Sequence, residues 1–156
     1  MKELVNLLVI VLLSITYLVV YSKIQLVFFN RKFGIRTNAI TILYISSILS
    51  AGIILIDISK VISDAYNFFY AQSMAKTFQF TVLFFIGAFI FAWLLFYISF
   101  SLTSLLTKED EKTQLIANNI ELSLLHSIIL VLLALIIAPS LLHYFATFIP
   151  YPERPF

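Results

Sequence analysis

The amino-acid sequence predicts an all-α integral membrane protein, a four-helix bundle built from two tandem two-helix units. Three observations lead to this fold class: an excess of apolar residues, four long uncharged stretches, and a motif that recurs in the second and fourth of them. The chain of 156 residues is 62% hydrophobic and 12% charged, whereas a soluble domain averages about 45–50% apolar and about 25% charged residues. A soluble domain of this size buries only about 70% of its unfolded surface, so it could not hide so much apolar surface.

Composition also excludes several classes of function. The chain contains no Cys, which excludes disulfides, thiolate metal sites and cysteine nucleophiles. Its net charge is +2 and it has no long basic run, so we expect no nucleic-acid partner. The lipid bilayer is the partner that the composition predicts.

Four stretches of the sequence carry no charge, and we interpret each as one membrane crossing. The stretches are residues 4–22, 37–56, 77–107 and 122–152. About 20 apolar helical residues cross the hydrocarbon layer, and a chain reversal inside one of the longer stretches would leave backbone polar groups unpaired. The helices predicted within this single transmembrane domain, residues 1–156, are 4–29, 38–58, 77–106 and 118–148. We expect the first helix to be retained, because no small-residue cleavage site follows its long apolar stretch.

Lysine and arginine are distributed unevenly between the two sides of the membrane, which predicts the orientation. The first side carries six cations, close to or within the connections after the first and third helices: Lys23, Arg31, Lys32, Arg36, Lys108 and Lys112. The other side carries four: Lys2, Lys60, Lys76 and Arg154. We therefore expect both of these connections in the cytoplasm and both termini on the non-cytoplasmic side.

An internal repeat relates the second predicted helix to the fourth at an offset of 81 residues. Seven of 22 aligned positions are identical, and five of the seven are Ile or Leu, which an apolar sequence supplies easily. The informative part is an Asn followed eight residues later by a Ser: Asn38 and Ser46 align with Asn119 and Ser127. A two-helix unit used twice gives a parallel repeat, because two crossings restore the original direction.

With this layout the chain resembles the bacterial membrane family known as DUF350, which consists of four-helix proteins made of two tandem two-helix units. In that family the second helix of each unit opens with Asn, and a small residue, usually Gly, follows about two turns later. Here Asn38 precedes Ser46 and Ser47, and Asn119 precedes Ser127, so Ser replaces the expected Gly. The resemblance implies a small bacterial inner-membrane protein and does not imply a reaction.

Few polar side chains fall within the predicted helices. Asn118 and Glu121 have the spacing of a capping box, and the alternative for Glu121 is an ion- or proton-binding carboxylate. His126 needs a partner at its depth, for which Ser123 and Tyr44 are the candidates, and the alternative is proton relay or metal ligation. These four residues, His126, Glu121, Tyr44 and Ser123, form the possible intramembrane polar site.

Two surfaces of contrasting character are candidates for packing. The second helix carries a cluster of small residues that allows a close helix approach, either to the fourth helix or to a second copy: Ser46, Ser47, Ser50, Ala51 and Gly52. The third helix carries an aromatic stripe at helical spacing: Phe85, Phe89, Trp93, Phe96 and Phe100. This stripe is a lipid-facing or packing surface, or the docking face for another membrane subunit.

The sequence contains no nucleophile–base pair, P-loop or zinc-protease motif, so we expect no enzyme, no cofactor and no metal. We expect a non-catalytic subunit or scaffold of a larger bacterial inner-membrane assembly, with other membrane subunits or self-association as partners. The alternative is a homo-oligomeric channel or small transporter. Its pathway would lie near His126 and near four residues of the second helix: Tyr44, Ser46, Ser47 and Ser50.

Overall fold

The computed structural model describes residues 2–34, 36–69, 73–107 and 110–149 of the chain. These residues form five helices and no strand, which confirms the all-α prediction. The helices are α1 (Lys2–Phe33), α2 (Asn38–Phe69), α3 (Met74–Thr107), α4 (Glu111–Ile116) and α5 (Ile120–Ala146). The four long helices are each apolar and long enough to cross a membrane.

Most helix ends lie within four residues of the predicted ones, and the largest difference is the end of α2. Helix α2 runs to Phe69 rather than to residue 58, and an ion pair in which Lys60 Nζ lies 2.5 Å from Asp57 Oδ1 supports this extension. A helix of 32 residues is about 48 Å long, so α2 exceeds the roughly 30 Å of hydrocarbon and its charged turns lie outside. The last predicted helix, 118–148, begins instead at Ile120, and the short helix α4 precedes it.

The four long helices alternate in direction, so that α1 and α3 run parallel to each other and antiparallel to α2 and α5. Helix α2 packs against every other helix, and its most extensive contact is with α5. Helices α1 and α5 lie at opposite sides of the α2–α3 pair. The beginning of α1 and the end of α5 therefore lie at the same end of the bundle, whereas α4 lies at the other end.

The small residues of α2 are buried or half-buried in the bundle, and one of them contacts α5. Ser46, Ser47, Ser50 and Ala51 are buried, and Gly52 is half-buried. Ser127 Oγ on α5 donates a hydrogen bond of 3.0 Å to Ser46 Oγ. Small side chains allow two helices to approach closely where no hydrophobic effect drives them together. Ser46 of the predicted seam thus lies between α2 and α5, whereas a Cβ atom at Gly52 would meet no heavy atom within 4 Å.

The aromatic stripe of α3 packs against α1 of the same chain. The Tyr17 ring contacts Phe85 and Phe89, with centroids 6.0 and 6.1 Å apart. The Phe28 ring meets Trp93 edge-on at 5.2 Å and contacts Phe96 at 5.9 Å. Because α1 carries its own aromatic row at matching depths, the rings pair in edge-to-face geometry. The docking face that the sequence predicts for another subunit is therefore occupied within the chain along most of its length.

The outer surface of the bundle is apolar. Leu12, Ile56 and Ile136 expose 64%, 64% and 69% of their surface, and they lie on three different helices. Contiguous apolar surface of this kind is rare on soluble monomers. Together with the four long apolar helices it defines a protein whose helices contact lipid.

Two consecutive asparagines join α4 to α5 and attach both to α2. Asn119 is the N-cap of α5, and its side chain accepts from the backbone N–H of Leu122 at 3.0 Å. Asn118 adopts a left-handed conformation with φ of 64°, and its Oδ1 accepts from the N–H of Ala39 at 3.0 Å. The predicted capping box from Asn118 to Glu121 is therefore wrong by one residue, because Asn118 caps the neighbouring helix instead.

Asn118 supports a test with two variants. Asn118→Gly favours the left-handed backbone conformation but loses the hydrogen bond to Ala39. Asn118→Ala loses this hydrogen bond and also disfavours the left-handed conformation. We expect the free energy of unfolding to fall by about 1 kcal/mol for Gly and about 2 kcal/mol for Ala. Unfolding by sodium dodecyl sulfate in mixed micelles measures both values. The reverse order would contradict the role of the backbone conformation.

Candidate functional site

His126 lies on the second turn of α5 and is 1% exposed. Its Nε2 lies 2.9 Å from Ser99 Oγ on α3, close enough for a hydrogen bond. Its ring packs against Phe96 and Phe100, with centroids 5.9 and 5.1 Å away. The imidazole is thus held between α3 and α5, near the end of the bundle where α4 lies.

The second member of the site is Glu111, the first residue of α4. It is 3% exposed, and its Oε1 lies 3.9 Å from Nδ1 of His126. Leu115, four residues later, is also buried. Residues four apart share one face of a helix, so the face that anchors α4 to the bundle also turns Glu111 inward.

Hydrogen bonding within the site leaves three polar atoms without a partner. Neither carboxylate oxygen of Glu111 forms a hydrogen bond with any described residue, and Nδ1 of His126 has none either. Ser99 Oγ also lies 2.9 Å from the carbonyl oxygen of Phe96, and the tautomer of the imidazole decides which atom donates between Nε2 and Ser99. In neutral imidazole only one ring nitrogen carries hydrogen. Nδ1 and Oε1 of Glu111 face each other across 3.9 Å with no hydrogen-bond partner among the described residues.

Several charged groups surround this pair. Lys32 on α1 interacts electrostatically with Glu111 and with Lys112 on α4, and its Nζ lies 3.7 Å from the centroid of the Phe100 ring. Asp110, next to Glu111, is exposed, and the hydrogen bond from the Thr113 hydroxyl lowers the pKa of its carboxyl group. Asp110 therefore stays ionised in water, and Glu111 is the acid that the bundle encloses.

Only one of the four residues of the predicted polar site lies in this cluster. The Tyr44 hydroxyl pairs with Ser22 of α1 at 2.8 Å, and Ser123 Oγ donates to the carbonyl of Ala39 at 2.5 Å. Glu121 is exposed. The prediction that His126 bonds to Tyr44 or Ser123 is thus corrected, because these two side chains face α1 and α2 while His126 faces α3.

The sequence interpretation missed Glu111 and Ser99. Two signals are available in retrospect. Glu111 and Leu115 are four apart in a short segment between two apolar stretches, and Ser99 and Thr103 have the same spacing on α3. Thr103 is fully buried and donates to the carbonyl of Ser99 at 2.8 Å. Both pairs mark a helix face, but neither indicates which helix lies opposite.

The order Ser99–His126–Glu111 is that of a hydrolase triad, but its environment does not suit nucleophilic catalysis. Ser99 is fully buried, and its hydroxyl already donates to a backbone carbonyl. It lies within a continuous helix, whose N–H groups bond to carbonyls four residues earlier and offer no oxyanion hole. What the arrangement can do chemically is hold a proton between an imidazole and a carboxylate.

The fold and the site define an all-α integral membrane protein of four spanning helices that encloses a titratable pair near one end. Comparison of the sequence with protein-family models and curated proteins, and of the fold with solved structures, finds no match. The DUF350 resemblance stays a prediction from the Asn and Ser motifs.

Proposed function

We propose that the protein is a small, non-catalytic component of a bacterial inner-membrane assembly, and that its Glu111–His126 pair binds and releases a proton. The observation that carries the proposal is the burial of both groups 3.9 Å apart, with the facing polar atoms unpaired. Removing an ionisable group from water costs several kcal/mol. Ionisable residues inside a membrane therefore usually serve a function, often in proton relays.

The groups around the pair support proton exchange with the water at this end of the bundle. Glu111 belongs to α4, which lies beyond the last turn of α3, so it is the member of the pair closer to the aqueous phase. Lys32 on α1 interacts electrostatically with it. The positive-inside rule supports a cytoplasmic location for this end.

A homo-oligomeric channel or transporter is the alternative. Within one chain the candidate lining residues do not face a pathway, because Ser46, Ser47 and Ser50 are buried. Each of the three hydroxyls donates to a carbonyl of its own helix. These three side chains therefore line no pathway in this structure, which supports the first proposal over the channel.

Infrared difference spectroscopy against pH tests the proton site directly, because it detects the stretching band of a protonated carboxyl group. In reconstituted wild-type protein we expect one buried carboxyl band that titrates. Glu111→Gln should abolish the band, and His126→Gln should shift its midpoint. Glu121→Gln removes an exposed carboxylate from the first turn of α5 and is the matched control. An unchanged band in Glu111→Gln would refute the proton site.

Proteoliposomes that contain only this chain separate the two proposals. A component of a larger assembly should show no proton flux under an imposed pH gradient. Flux that Glu111→Gln abolishes would instead establish the channel or transporter.

A further inference from the structure

A lipid-facing groove lies between α1 and α3 at the end of the bundle where α1 finishes. Its volume is about 440 Å³ and its lining consists of Ile24, Val27, Phe28, Arg31, Lys32 and Trp93. Four of the six side chains are apolar or aromatic, and the two cations follow one another at the last turn of α1. The groove therefore combines an apolar wall with a positively charged end.

The two cations of this groove are not neutralised by a direct ion pair. No described carboxylate lies within 4 Å of Arg31 or Lys32, and Arg31 is exposed. The Lys32 ammonium lies over the Phe100 and Phe28 rings, at 3.7 and 5.4 Å from their centroids. Glu111 acts on Lys32 only at longer range. The groove thus presents two positive charges to an external anion.

We propose that this groove binds the headgroup of an anionic phospholipid. Arg presents a fork of donors that matches a phosphate, and Lys adds a point charge. Ile24 and Val27 expose 41% and 51% of their surface beside the cations, which provides a wall for the acyl chains. A free phosphate ion would use the cations alone, whereas a phospholipid uses both parts of the groove.

The site lies beyond the proposed function, and the two share one residue, Lys32, which lines the groove and interacts electrostatically with Glu111. Glu111 and His126 are absent from its lining, and α1, which carries both cations, contributes neither of them. Failure of the proton site would leave both cations of the groove in place, and the Arg31 variant tests the groove without changing Lys32.

Trp93 makes the site measurable, because it lies in the groove and is the single Trp of the chain. In bilayers of phosphatidylcholine, brominated lipid quenches the fluorescence of a tryptophan that it contacts. We expect brominated phosphatidylglycerol to quench Trp93 at least fivefold more effectively than brominated phosphatidylcholine at equal mole fraction. A cation near an anionic headgroup is worth about fivefold in affinity.

Arg31→Gln should remove most of this preference, and the double variant with Lys32→Gln should remove all of it. Lys23→Gln is the matched control, because it removes an exposed cation from the same helix but outside the groove. Far-ultraviolet circular dichroism verifies that the variants keep their helix content. Equal quenching by both lipids in the wild type, or a preference that survives in the double variant, would overturn the site. Loss of the preference in Lys23→Gln, or on addition of inorganic phosphate, would also overturn it in favour of general surface charge or a free anion.

Discussion

The His126→Leu substitution is expected to lower the free energy of unfolding by about 3 kcal/mol relative to the wild type. Loss of the imidazole leaves Glu111 buried without the basic group that lies 3.9 Å from its carboxylate, and breaking a buried pair from one side typically costs 3–5 kcal/mol. Unfolding in mixed micelles with sodium dodecyl sulfate measures the difference. His143→Leu is the control, because His143 is exposed on the same helix and its change should stay within about 0.5 kcal/mol.

The matching variant on α4 makes this test specific for the pair. Glu111→Leu should cost a similar amount, since it leaves Nδ1 of His126 facing an apolar group. The double variant should recover most of the loss, because apolar residues of similar volume often replace a buried ion pair without cost. Losses that simply add in the double variant would show that the two side chains do not interact.

The second large effect is expected at Gly87 on α3. A Cβ atom at this position would lie 2.6 Å from Cζ of Phe145, whose ring is buried against α3. The ring also contacts Phe84 and Phe91, at 5.4 and 6.2 Å between centroids. Because the ring has little room to move, we expect Gly87→Ala to lower the free energy of unfolding by about 1–3 kcal/mol.

Gly52 on α2 provides the control for this substitution. A Cβ atom there meets no heavy atom within 4 Å, so Gly52→Ala should raise the stability by about 0.5–1 kcal/mol through the lower entropy of the unfolded chain. In the Gly87→Ala background, Phe145→Leu should restore part of the lost free energy of unfolding, because it removes the ring that the new Cβ atom would overlap. Equal effects of the two Gly→Ala substitutions would contradict the close packing of α3 on α5.

The number and the type of the helices were predictable, because a charged side chain is costly inside a bilayer and is therefore rare in a spanning helix. Every stretch free of charge corresponds to one long helix, and only the ends differ. Helix α2 continues through Asp57 and Lys60, which pair with each other along the helix. The end of α2 therefore depends on ion pairs between residues in water. An uncharged stretch of sequence indicates only the part of a helix that lies inside the hydrocarbon layer.

The site was predictable only in part, because its residues come from three helices that the sequence does not align. His126 stands out as a polar residue in an apolar helix, but its partners depend on how α5 is rotated towards α3. Ser99 and Ser123 are equivalent candidates in sequence, and Ser123 turns towards α2 instead. Glu111 lies outside the uncharged stretches, where an acidic residue normally indicates solvent, so its burial could not be inferred.

The contact between Ser46 and Ser127 joins residues separated by 81 positions, which is also the offset of the Asn and Ser motif. Equivalent residues meet in this way on the axis of a symmetric dimer. This contact is the one that the parallel repeat predicted from the sequence would produce. At the same offset, Asn30 and Ile45 stand where the second half has Glu111 and His126. The buried Glu–His pair is therefore confined to the second half of the chain.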